Sequence, residues 1–264
     1  MQRRFRSPCD NPYGWLLKLR PAILASALKK VLRVERVPVE TPEGVFVVDP
    51  ASILGNRLLC DGRHEPGTIA HLKRCLKPGA TFVDLGANEG YFSVIASRLV
   101  GESGRVVAVE PQERVQSVLR TNLSVNHCSN VSVVQAAVGA GEGTMTLHLN
   151  PSTNTGASSA FRSTRYPLPT QQARICSLTA LFNDCGLAYA DLVKMDIEGY
   201  EGEAIQGARD LLQNRRIGAI SLAYHEAVLL RQGSSTQQIE TELIANFFQI
   251  KERDSTTLYL LTPR

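Results

Sequence analysis

Short apolar strands alternate with amphipathic helices in the middle of the chain, and this alternation constrains the fold more than any other feature. The strand segments are apolar on both faces, and the helix segments repeat apolar residues every three or four positions. Such strands, alternating with helices of about 10–15 residues, build a parallel sheet covered on both faces. The sequence therefore predicts an α/β fold. The segments are strands at 81–85, 105–110 and 131–136, a helix at 91–100 and a helix that Pro111 begins.

The carboxyl-terminal half continues this alternation around one irregular stretch. Residues 150–172 are rich in Ser, Thr, Pro, Gly and Asn. Loops of this length are uncommon in compact domains and are often lids or binding loops. We therefore expect 150–172 to be a substrate lid. The further predicted strands are 144–149, 173–178, 192–196 and 217–224, followed by a closing hairpin of 248–253 with 258–262.

The beginning of the chain differs from the rest in charge. Residues 1–36 hold nine Lys and Arg against two Asp and Glu, whereas the remaining 228 hold 20 basic and 23 acidic residues. A mildly acidic body lacks the broad basic surface that nucleic acids require, so a nucleic-acid partner is not expected. We expect a basic N-terminal arm with short extended pieces over 1–60 and one domain over 61–264.

The arm contains apolar residues at helical spacing between Trp15 and Leu32, interrupted by Pro21. We favour a helix that packs on the domain or on a second copy in a homodimer, and a helix that lies on a membrane surface is the alternative. No segment approaches the roughly 18 apolar residues of a spanning helix, and no signal peptide is recognisable. We expect a cytoplasmic protein, peripheral to a membrane if the helix lies on one.

Six cysteines are scattered along the chain without a C-x-x-C pair. A chain of 264 residues with 43% hydrophobic residues can bury a core without disulfides. We therefore expect six reduced thiols packed as small hydrophobic groups and no structural zinc.

The strongest chemical signal is Asp84-Leu-Gly86-Ala-Asn88-Glu-Gly90, which joins the first strand of the alternation to a helix. Glycines at such a turn allow a ligand to approach the backbone, and ligands of open parallel sheets bind at strand ends. The pattern is D-x-G-x-x-x-G, so the dinucleotide fingerprint G-x-G-x-x-G is absent. An acidic residue at the strand end suits a ligand with an ammonium group and no phosphates.

A second acidic residue, Glu110, ends the next strand 26 residues later. A carboxylate at this position can accept both hydroxyls of a ribose, and the following Pro111 and Gln112 can lie against a base. Asp84 and Glu110 together describe a nucleoside joined to an amino acid, which is S-adenosylmethionine.

Two segments carry a recognisable pattern. One is Phe82-Val-Asp-Leu-Gly-Ala-Asn-Glu-Gly-Tyr-Phe-Ser93, and the other, more distinctive, is Leu192-Val-Lys-Met-Asp-Ile-Glu-Gly-Tyr-Glu201. Both resemble motifs of the FkbM family of S-adenosylmethionine-dependent methyltransferases. His64-Glu65-Pro66 and Val134-Gln-Ala-Ala-Val-Gly139 also fit the family pattern, and the resemblance covers about residues 60–225.

The resemblance implies a class I methyltransferase fold, a Rossmann-like sheet of seven strands in the order 3-2-1-4-5-7-6, with one antiparallel strand and helices on both faces. It also implies O-methylation of a sugar, a glycan or another small hydroxylated metabolite. Asp196 would face the transferring methyl group, and Glu110 would hold the ribose. The methionine end would be held by Asp84, Gly86, Asn88 and Gly90, and the adenine by Gln112 with residues 135–137. The implied cofactor-binding residues are Glu65, Asp84, Gly86, Asn88, Gly90, Tyr91, Phe92, Glu110, Pro111, Gln112, Gln135, Ala136, Ala137 and Asp196.

The second motif also carries the candidate catalytic groups. Lys194, Asp196 and Glu198 alternate along a strand end and so share one face. A hydroxyl acceptor must lose its proton during methyl transfer, and Asp196, Glu198 and His225 are the candidate acceptors. His225 has the ordinary pKa closest to neutrality. The same three groups could hold Mg²⁺, but this alternative is less favoured and no metal ligand is predicted.

Three other functions remain open at this point. The chain could be a nucleotide-dependent oxidoreductase, although it lacks the glycine fingerprint and a Tyr-x-x-x-Lys pair. It could be a 2′-O RNA methyltransferase that uses Lys194 and Asp196, although a second lysine is not evident. It could be a non-catalytic methyltransferase-like binding module, because Thr179 and Ala223 stand where many family members carry carboxylates.

Overall fold

A computed structural model of the chain describes residues 11–151, 153, 169–231, 233–253 and 257–262. A short 3-10 helix, Gly14–Lys18, precedes the first α-helix. The strands are β1 (Val37–Thr41), β2 (Gly44–Val48), β3 (Thr81–Leu85), β4 (Arg105–Val109), β5 (Val131–Val134), β6 (Ala137–Gly139), β7 (Gly143–His148), β8 (Thr170–Ser177), β9 (Leu192–Met195), β10 (Ala219–Ala223), β11 (Gln249–Arg253) and β12 (Thr257–Leu261). The helices are α1 (Ala22–Val31), α2 (Ile53–Asp61), α3 (Pro66–Cys75), α4 (Tyr91–Val100), α5 (Glu113–Val125), α6 (Leu178–Asp184), α7 (Glu201–Gln206), α8 (Arg209–Gln213), α9 (Glu226–Arg231) and α10 (Thr236–Ala245).

The central sheet has seven strands in the order β5-β4-β3-β9-β10-β12-β11. β12 is antiparallel to both of its neighbours, and the pairs from β5 to β10 are parallel. Numbered along the chain within this sheet, the order is 3-2-1-4-5-7-6, the order that the resemblance implied. The expected α/β fold with a mostly parallel central sheet is confirmed.

Two apolar clusters cover the two faces of this sheet. On one face, Val83 and Val193 pack with residues of α6, α7 and α8. On the other face, Phe82 and Leu192 pack with α3, α4 and the β1–β2 hairpin. Successive strand residues alternate between the clusters because side chains of a strand point to opposite faces. The near-continuous apolar runs of the sequence follow from burial on both sides.

Several predicted boundaries differ from the structure. Residues 53–61 form helix α2 instead of an extended piece, because the Ser52 hydroxyl caps the helix by accepting the Gly55 N–H at 3.0 Å. Helix α5 begins at Glu113, two residues later than predicted, because Pro111 and Gln112 remain in the turn after β4. The predicted lid is also partly wrong, because residues 170–172 belong to β8. Most of the lid, residue 152 and 154–168, lies outside the described residues.

A small sheet with the order β6-β8-β7 extends the domain beside the carboxyl ends of β4 and β5. β7 and β8 pair antiparallel over six residue pairs. Met145 and Leu147 of β7 share one strand face and take part in the cavity described below.

The cysteine expectation fails at one position. Cys60, in α2, is a disulfide cysteine, so it is not a reduced thiol. Cys75, Cys128, Cys176 and Cys185 are free thiols, as expected, and burial raises the pKa of each of them. Among the described residues, no helix combines the length and the apolar character needed to cross a membrane.

Candidate active site

A cavity of about 280 Å³ opens where β3, β4, β9 and β10 end. The strand ends of an open parallel sheet are the usual ligand-binding position, and small-molecule sites have volumes of about 300–1,000 Å³. The residues after β3, β4 and β9 contribute Gly86, Glu110 and Asp196 to its wall, and His225 follows β10. The cavity therefore lies at the position expected from the two acidic strand ends.

One wall is built around the carboxylate of Glu110. Its Oε2 accepts the backbone N–H of Asn88 at 2.9 Å, and its Oε1 accepts the backbone N–H of Gln112 at 2.8 Å. The side chain is nearly fully buried, and burial raises the pKa of Glu110 to about 7 against the opposing effect of these hydrogen bonds. A carboxylate offers about four lone-pair positions, so this one can accept further hydrogen bonds from a ligand's hydroxyls. We call this the Glu110 wall.

The surface next to Glu110 is largely apolar. Pro111, Met145 and Leu147 line it, and the Gln112 side chain adds an amide. Arg114 holds this amide by donating from Nε and Nη2 to Gln112 Oε1 at 3.1 and 2.9 Å. A mostly apolar surface with one fixed amide can accommodate a flat purine base.

Three non-glycine residues of the cavity have positive φ angles. These are Glu65 at 47°, Asn88 at 47° and Glu198 at 56°. Each lies between a strand or turn and the helix that follows it. Such backbone conformations cost about 1–3 kcal/mol each and cluster at functional sites. The chain therefore bears backbone strain at three points around one cavity.

Gly86 and Gly90 also have positive φ, at 80° and 85°. A Cβ on Gly86 would lie 2.0 Å from the backbone oxygen of Asp196, and a Cβ on Gly90 would lie 2.6 Å from Cδ1 of Leu119. Protein atoms thus occupy the space next to both glycines. We had expected a ligand to approach the backbone there. At Gly86, the close approach joins the turn after β3 to the end of β9.

The opposite wall carries charged side chains at the ends of β9 and β10. His225 lies between two carboxylates, with Nε2 3.4 Å from Glu198 Oε2 and Nδ1 3.3 Å from Glu201 Oε1. Glu201 is fully buried, and its Oε1 also accepts the N–H groups of Ile197 and Gly199 at 3.3 and 3.2 Å. Glu201 thereby fixes both the histidine ring and the turn that bears Glu198. We call Asp196, Glu198, His225 and Glu201 the charged wall.

These contacts alter the ionisation of His225 and Glu198. Burial disfavours the charged imidazole, but the hydrogen bond to Glu201 and the charges of Glu198, Glu201 and Asp196 raise the pKa of His225 to about 9. Burial raises the pKa of Glu198 to about 7, although the charge of His225 opposes this. His225 is therefore a cation at neutral pH, which argues against its predicted role as a proton acceptor. Glu198 is close to its midpoint there.

Lys194 lies beneath this wall as a buried cation. Its Nζ is 3.2 Å from Asp196 Oδ2 and 4.9 Å from the centre of the Phe92 ring. Burial disfavours the ammonium group, but the charges of Asp196, Asp84 and Glu65 outweigh burial and hold the pKa of Lys194 above its ordinary value. Lys194 is therefore charged and compensates part of the carboxylate charge around it.

Asp84 lies below the surface of the cavity. It pairs in register with Lys194 on the neighbouring strand and is fully buried. Ser93 Oγ donates to Asp84 Oδ2 at 2.6 Å, whereas Oδ1 is buried and has no hydrogen-bond partner within the described part of the chain. Burial raises the pKa of Asp84, and Lys194 opposes this. Asp84 influences the cavity through Lys194 and is not part of its wall.

The structure brings most of the predicted site residues together, but not all. Tyr91 and Phe92 are buried beside the cavity, and Gln135 is exposed away from it. Tyr91 instead supports the turn before α3, since its hydroxyl accepts the N–H of His64 at 3.2 Å. The predicted residues that line the cavity are Glu65, Gly86, Asn88, Glu110, Pro111, Gln112, Ala136, Ala137, Asp196, Glu198 and His225; those that do not are Asp84, Gly90, Tyr91, Phe92 and Gln135.

The sequence reasoning missed some lining residues and the supporting Glu201. The missed lining residues include His64, which precedes the predicted Glu65, and Tyr200, which lies inside the quoted second motif. Glu201 ends that motif, so a role for it could have been suspected. No periodic or motif signal marked the rim formed by Ser52, Ile53 and Leu54.

The charged wall also has the composition of a metal site. Asp196, Glu198 and His225 each offer one ligand atom, and these atoms lie within 4.8 Å of one another. Lys194 already pairs with Asp196, and His225 pairs with Glu198 and Glu201. Because these internal cations compensate the carboxylates, we interpret the group as an acid–base cluster.

The donor set of the cavity fits S-adenosylmethionine. Glu65, Glu110, Asp196 and Glu198 place four carboxyl groups in the wall, and no Lys or Arg is among the described residues that line it. A ligand with a sulfonium and an ammonium group matches this acidic lining, and its ribose and base match the Glu110 wall. Glu110 and Gln112 would hold the nucleoside, and Glu65 and Asp196 face the remaining space.

Comparisons with known proteins agree with this fit. A probable cobalt-precorrin-6B C(15)-methyltransferase from Sulfolobus acidocaldarius is 34% identical over 73 residues, which are 28% of this chain and 38% of that protein. A protein-L-isoaspartate O-methyltransferase from Methanococcoides burtonii is 28% identical over 109 residues, 41% of this chain and 53% of that protein. The chain thus spans about half or less of the length of these curated relatives.

One solved structure among the similar ones is the methyltransferase FkbM from Methylobacillus flagellatus KT. It is 16% identical, with a TM-score of 0.45, and the match covers 73% of this chain and 50% of that one. A second family model, for protein-L-isoaspartate (D-aspartate) O-methyltransferases, matches residues 19–145.

One family model runs through both walls of the cavity. The model of the methyltransferase FkbM domain matches residues 84–253, well over half of the chain, and S-adenosylmethionine is the cofactor of the related methyltransferases. The chain belongs to the FkbM methyltransferase family.

Proposed function

We propose that the chain transfers a methyl group from S-adenosylmethionine to a hydroxyl group of a sugar, a glycan or another small metabolite. The observation that supports this proposal most is the raised pKa of the Glu198 carboxyl group inside the cavity. Its pKa is raised to about 7, and it lines the same cavity as the ribose-type Glu110 wall. A general base works best when its pKa lies near the operating pH.

The two walls have different roles: the Glu110 wall binds the nucleoside, and the charged wall faces the reacting groups. When bound, S-adenosylmethionine supplies an electrophilic methyl group on a positively charged sulfur. Glu110 binds and orients the nucleoside end, using a carboxylate that two backbone N–H groups hold in place. The carboxyl groups of Asp196 and Glu198 favour a positive ligand on the other side of the cavity. Holding two reactants in this way replaces an encounter in solution by a fixed geometry.

The charged wall accepts the proton of the acceptor hydroxyl. Glu198 accepts the proton of the acceptor hydroxyl as the oxygen becomes methylated, and the protonated His225 keeps the Glu198 carboxylate in position. Asp196, held by Lys194, is a hydrogen-bond acceptor that can orient the same hydroxyl. The predicted catalytic roles of Asp196 and Glu198 are thus retained, and His225 becomes a positioning residue.

The departures from the family pattern do not remove this chemistry. Ala223 ends β10 without a carboxylate, but two carboxylates contact His225, two residues later: Glu198 from the turn after β9 and Glu201 from the start of α7. Thr179 is occupied elsewhere, since its hydroxyl donates to the Gly207 carbonyl at 2.9 Å. These contacts favour an enzyme over a binding module.

An RNA acceptor has less support than a small hydroxylated one. Lys194 is buried under Asp196, and the lining residues that the structure describes include no second lysine. The similarity to protein carboxyl methyltransferases falls on residues 19–145, which include the Glu110 wall but not the charged wall. That similarity therefore concerns the cofactor side and leaves the acceptor open.

The experiment has two parts. Calorimetry with S-adenosylmethionine, and with NAD as the competing ligand, tests the cofactor. Transfer of a labelled methyl group to a panel of sugars, polyols, RNA and protein carboxyl substrates tests the acceptor. We expect S-adenosylmethionine to bind, NAD not to bind, and label to appear as an ether on a hydroxylated small molecule. Labelling of RNA alone would refute the small-molecule acceptor, and labelling of a carboxyl group alone would refute the hydroxyl acceptor. Absence of S-adenosylmethionine binding would refute both parts.

A further inference from the structure

The first helix presents its apolar side chains to solvent. Leu24, Leu28 and Val31 follow one another at intervals of four and three residues, so they form one stripe along α1. Leu24 is 50% exposed and Val31 is 77% exposed. Trp15, in the preceding 3-10 helix, is 48% exposed. A helix that only served to cover the core would bury such a stripe.

The helix rests on the body through small side chains instead. Ala25 is buried and forms a small cluster with Leu16 and Ala51. Lys29 of α1 makes an ion pair with Asp49, which lies two residues before Ala51. The helix is therefore fixed in an orientation that leaves its bulky aliphatic side chains outside.

Exposed basic side chains lie before, within and after the helix that bears the stripe. Lys18, Arg20, Lys30 and Arg33 are all exposed, and Glu35 is the one acidic residue between positions 11 and 36. The rest of the chain, residues 37–264, carries slightly more acidic than basic groups. The positive charge is thus concentrated around one exposed apolar surface, which we call the α1 surface: Trp15, Lys18, Arg20, Leu24, Leu28, Lys30, Val31 and Arg33.

We infer that the α1 surface binds anionic lipid bilayers. Apolar side chains that enter the headgroup boundary, flanked by Lys and Arg that meet anionic headgroups, are the features of a helix lying in a membrane interface. The helix has ten residues, so it is about 15 Å long, half of the roughly 30 Å hydrocarbon layer, and it lies on the bilayer instead of crossing it.

The charge distribution selects this occupant over a second copy of the chain. A symmetric dimer places the same patch of both subunits face to face. Lys18, Arg20, Lys30 and Arg33 of one copy would then approach their equivalents in the other, and like charges at close range repel. An anionic surface complements the same groups.

The α1 surface is also connected to the rim of the cavity. Asp49, the partner of Lys29, lies three residues before Ser52, and Ser52, Ile53 and Leu54 line the cavity. A chain bound through α1 would hold this rim near the lipid headgroups. Binding to the bilayer itself requires neither methyl donor nor acceptor, so the inference stands independently of the proposed reaction.

The test is co-sedimentation of the full chain with vesicles. One set contains phosphatidylcholine alone, and the other contains equal parts of phosphatidylcholine and phosphatidylglycerol. The stripe variant combines Leu24→Ser with Leu28→Ser, and the charge variant combines Lys30→Glu with Arg33→Glu. The control combines Val125→Ser with Ile244→Ser, two exposed aliphatic residues of α5 and α10 that are 42% and 53% exposed. Circular dichroism confirms the fold of each variant.

We expect wild type and control to bind the anionic vesicles, and each α1 variant to bind at least about tenfold more weakly. Wild-type chain that stays in the supernatant with anionic vesicles would overturn the inference. Equal loss of binding in the control and the α1 variants would overturn it too, since the effect would not belong to α1. A chain that sediments as a dimer, dissociates in the stripe variant and ignores vesicles would show that a second copy occupies this surface.

Discussion

The two walls of the cavity hold their carboxylates by different means. Glu110 is fixed by backbone N–H groups of Asn88 and Gln112, which belong to the turns after β3 and β4. Glu198 contacts His225, which in turn contacts the buried Glu201. The Glu110 wall is therefore a property of the backbone at two strand ends. The charged wall is a network of side chains that ionise in the physiological range.

This difference suggests what each wall can tolerate and what it can do. Backbone donors cannot rotate away, so the Glu110 carboxyl group keeps a fixed geometry toward a ligand, and its own pKa of about 7 affects only how strongly it binds. The charged wall can exchange a proton, because the pKa of Glu198 is about 7 and that of His225 is about 9. We expect substitutions in the Glu110 wall to act on binding, and substitutions in the charged wall to act on turnover.

The largest effect is expected for Glu198→Gln. The amide keeps the size of the side chain but cannot accept the acceptor's proton, so kcat should fall by about 10²-fold or more, the range of positioned acid–base groups. Affinity for S-adenosylmethionine should stay within about threefold of wild type by calorimetry. The matched control is Glu203→Gln. Glu203 lies in the first turn of α7, five residues after Glu198, and does not line the cavity.

The same measurement distinguishes Glu198 from Asp196. If Asp196→Asn lowers kcat by about 10²-fold while Glu198→Gln is nearly active, Asp196 is the proton acceptor and the assignment to Glu198 is wrong. If both variants keep near-normal turnover, the charged wall is structural and the comparison between the two walls fails.

The next largest effect is expected for Glu110→Gln. One half of the amide would turn N–H groups toward the N–H donors of Asn88 or Gln112, and the negative charge next to the ligand would be lost. Hydrogen bonds to charged groups contribute about 1.5–3 kcal/mol, so affinity for S-adenosylmethionine should fall at least about tenfold. The control is Glu113→Gln, an exposed residue in the first turn of α5. Unchanged affinity in Glu110→Gln would remove the nucleoside assignment.

The third prediction is a pH dependence of kcat that comes from the charged wall. The pKa of Glu110 is also about 7, but Glu110 acts on binding, so its ionisation should change the affinity for S-adenosylmethionine instead of kcat. Glu198 must be ionised to accept a proton, so kcat should rise as pH increases through about 7. His225 must be protonated to hold Glu198, so kcat should fall as pH increases through about 9. His225→Gln should remove the alkaline limb and lower the maximum by a smaller factor than Glu198→Gln. An alkaline limb that persists in His225→Gln would assign that limb to another group.

His225 should also affect stability in a defined direction. Its folded pKa of about 9 lies above the ordinary value of 6.5. The stabilisation that it contributes is therefore fully present below about 6.5 and is lost as pH increases through about 9. The difference in thermal midpoint between wild type and His225→Gln should be larger at pH about 6 than at pH about 10.

The same contrast explains how far the sequence alone could predict the molecule. Apolar runs and the D-x-G-x-x-x-G turn are local signals, so they predicted the α/β fold and placed Glu110 beside the turn after β3. Glu198 and Glu201 follow β9, His225 follows β10, and the three meet only in the folded chain. Glu198 and His225 could be selected from the sequence by residue type. The ion pairs that raise the pKa of His225 could not be predicted. α2 was missed because its helix start depends on one Ser52 cap, a weak signal within a short segment.

The smallest effect is expected for Asp84→Asn, although Asp84 was the strongest residue of the sequence motif. The structure buries Asp84 below the cavity, bonded to Ser93 and adjacent to Lys194, so it reaches a ligand only through the charge of Lys194. We therefore expect affinity for S-adenosylmethionine to fall by no more than roughly threefold, less than for Glu110→Gln. The thermal midpoint should decrease instead, because Lys194 would lose one of the carboxylates that offset its burial. Calorimetry and thermal unfolding of the same preparation separate the two results. Affinity that falls as far as in Glu110→Gln would mean that Asp84 contacts the ligand directly, and the cavity would then have a third wall.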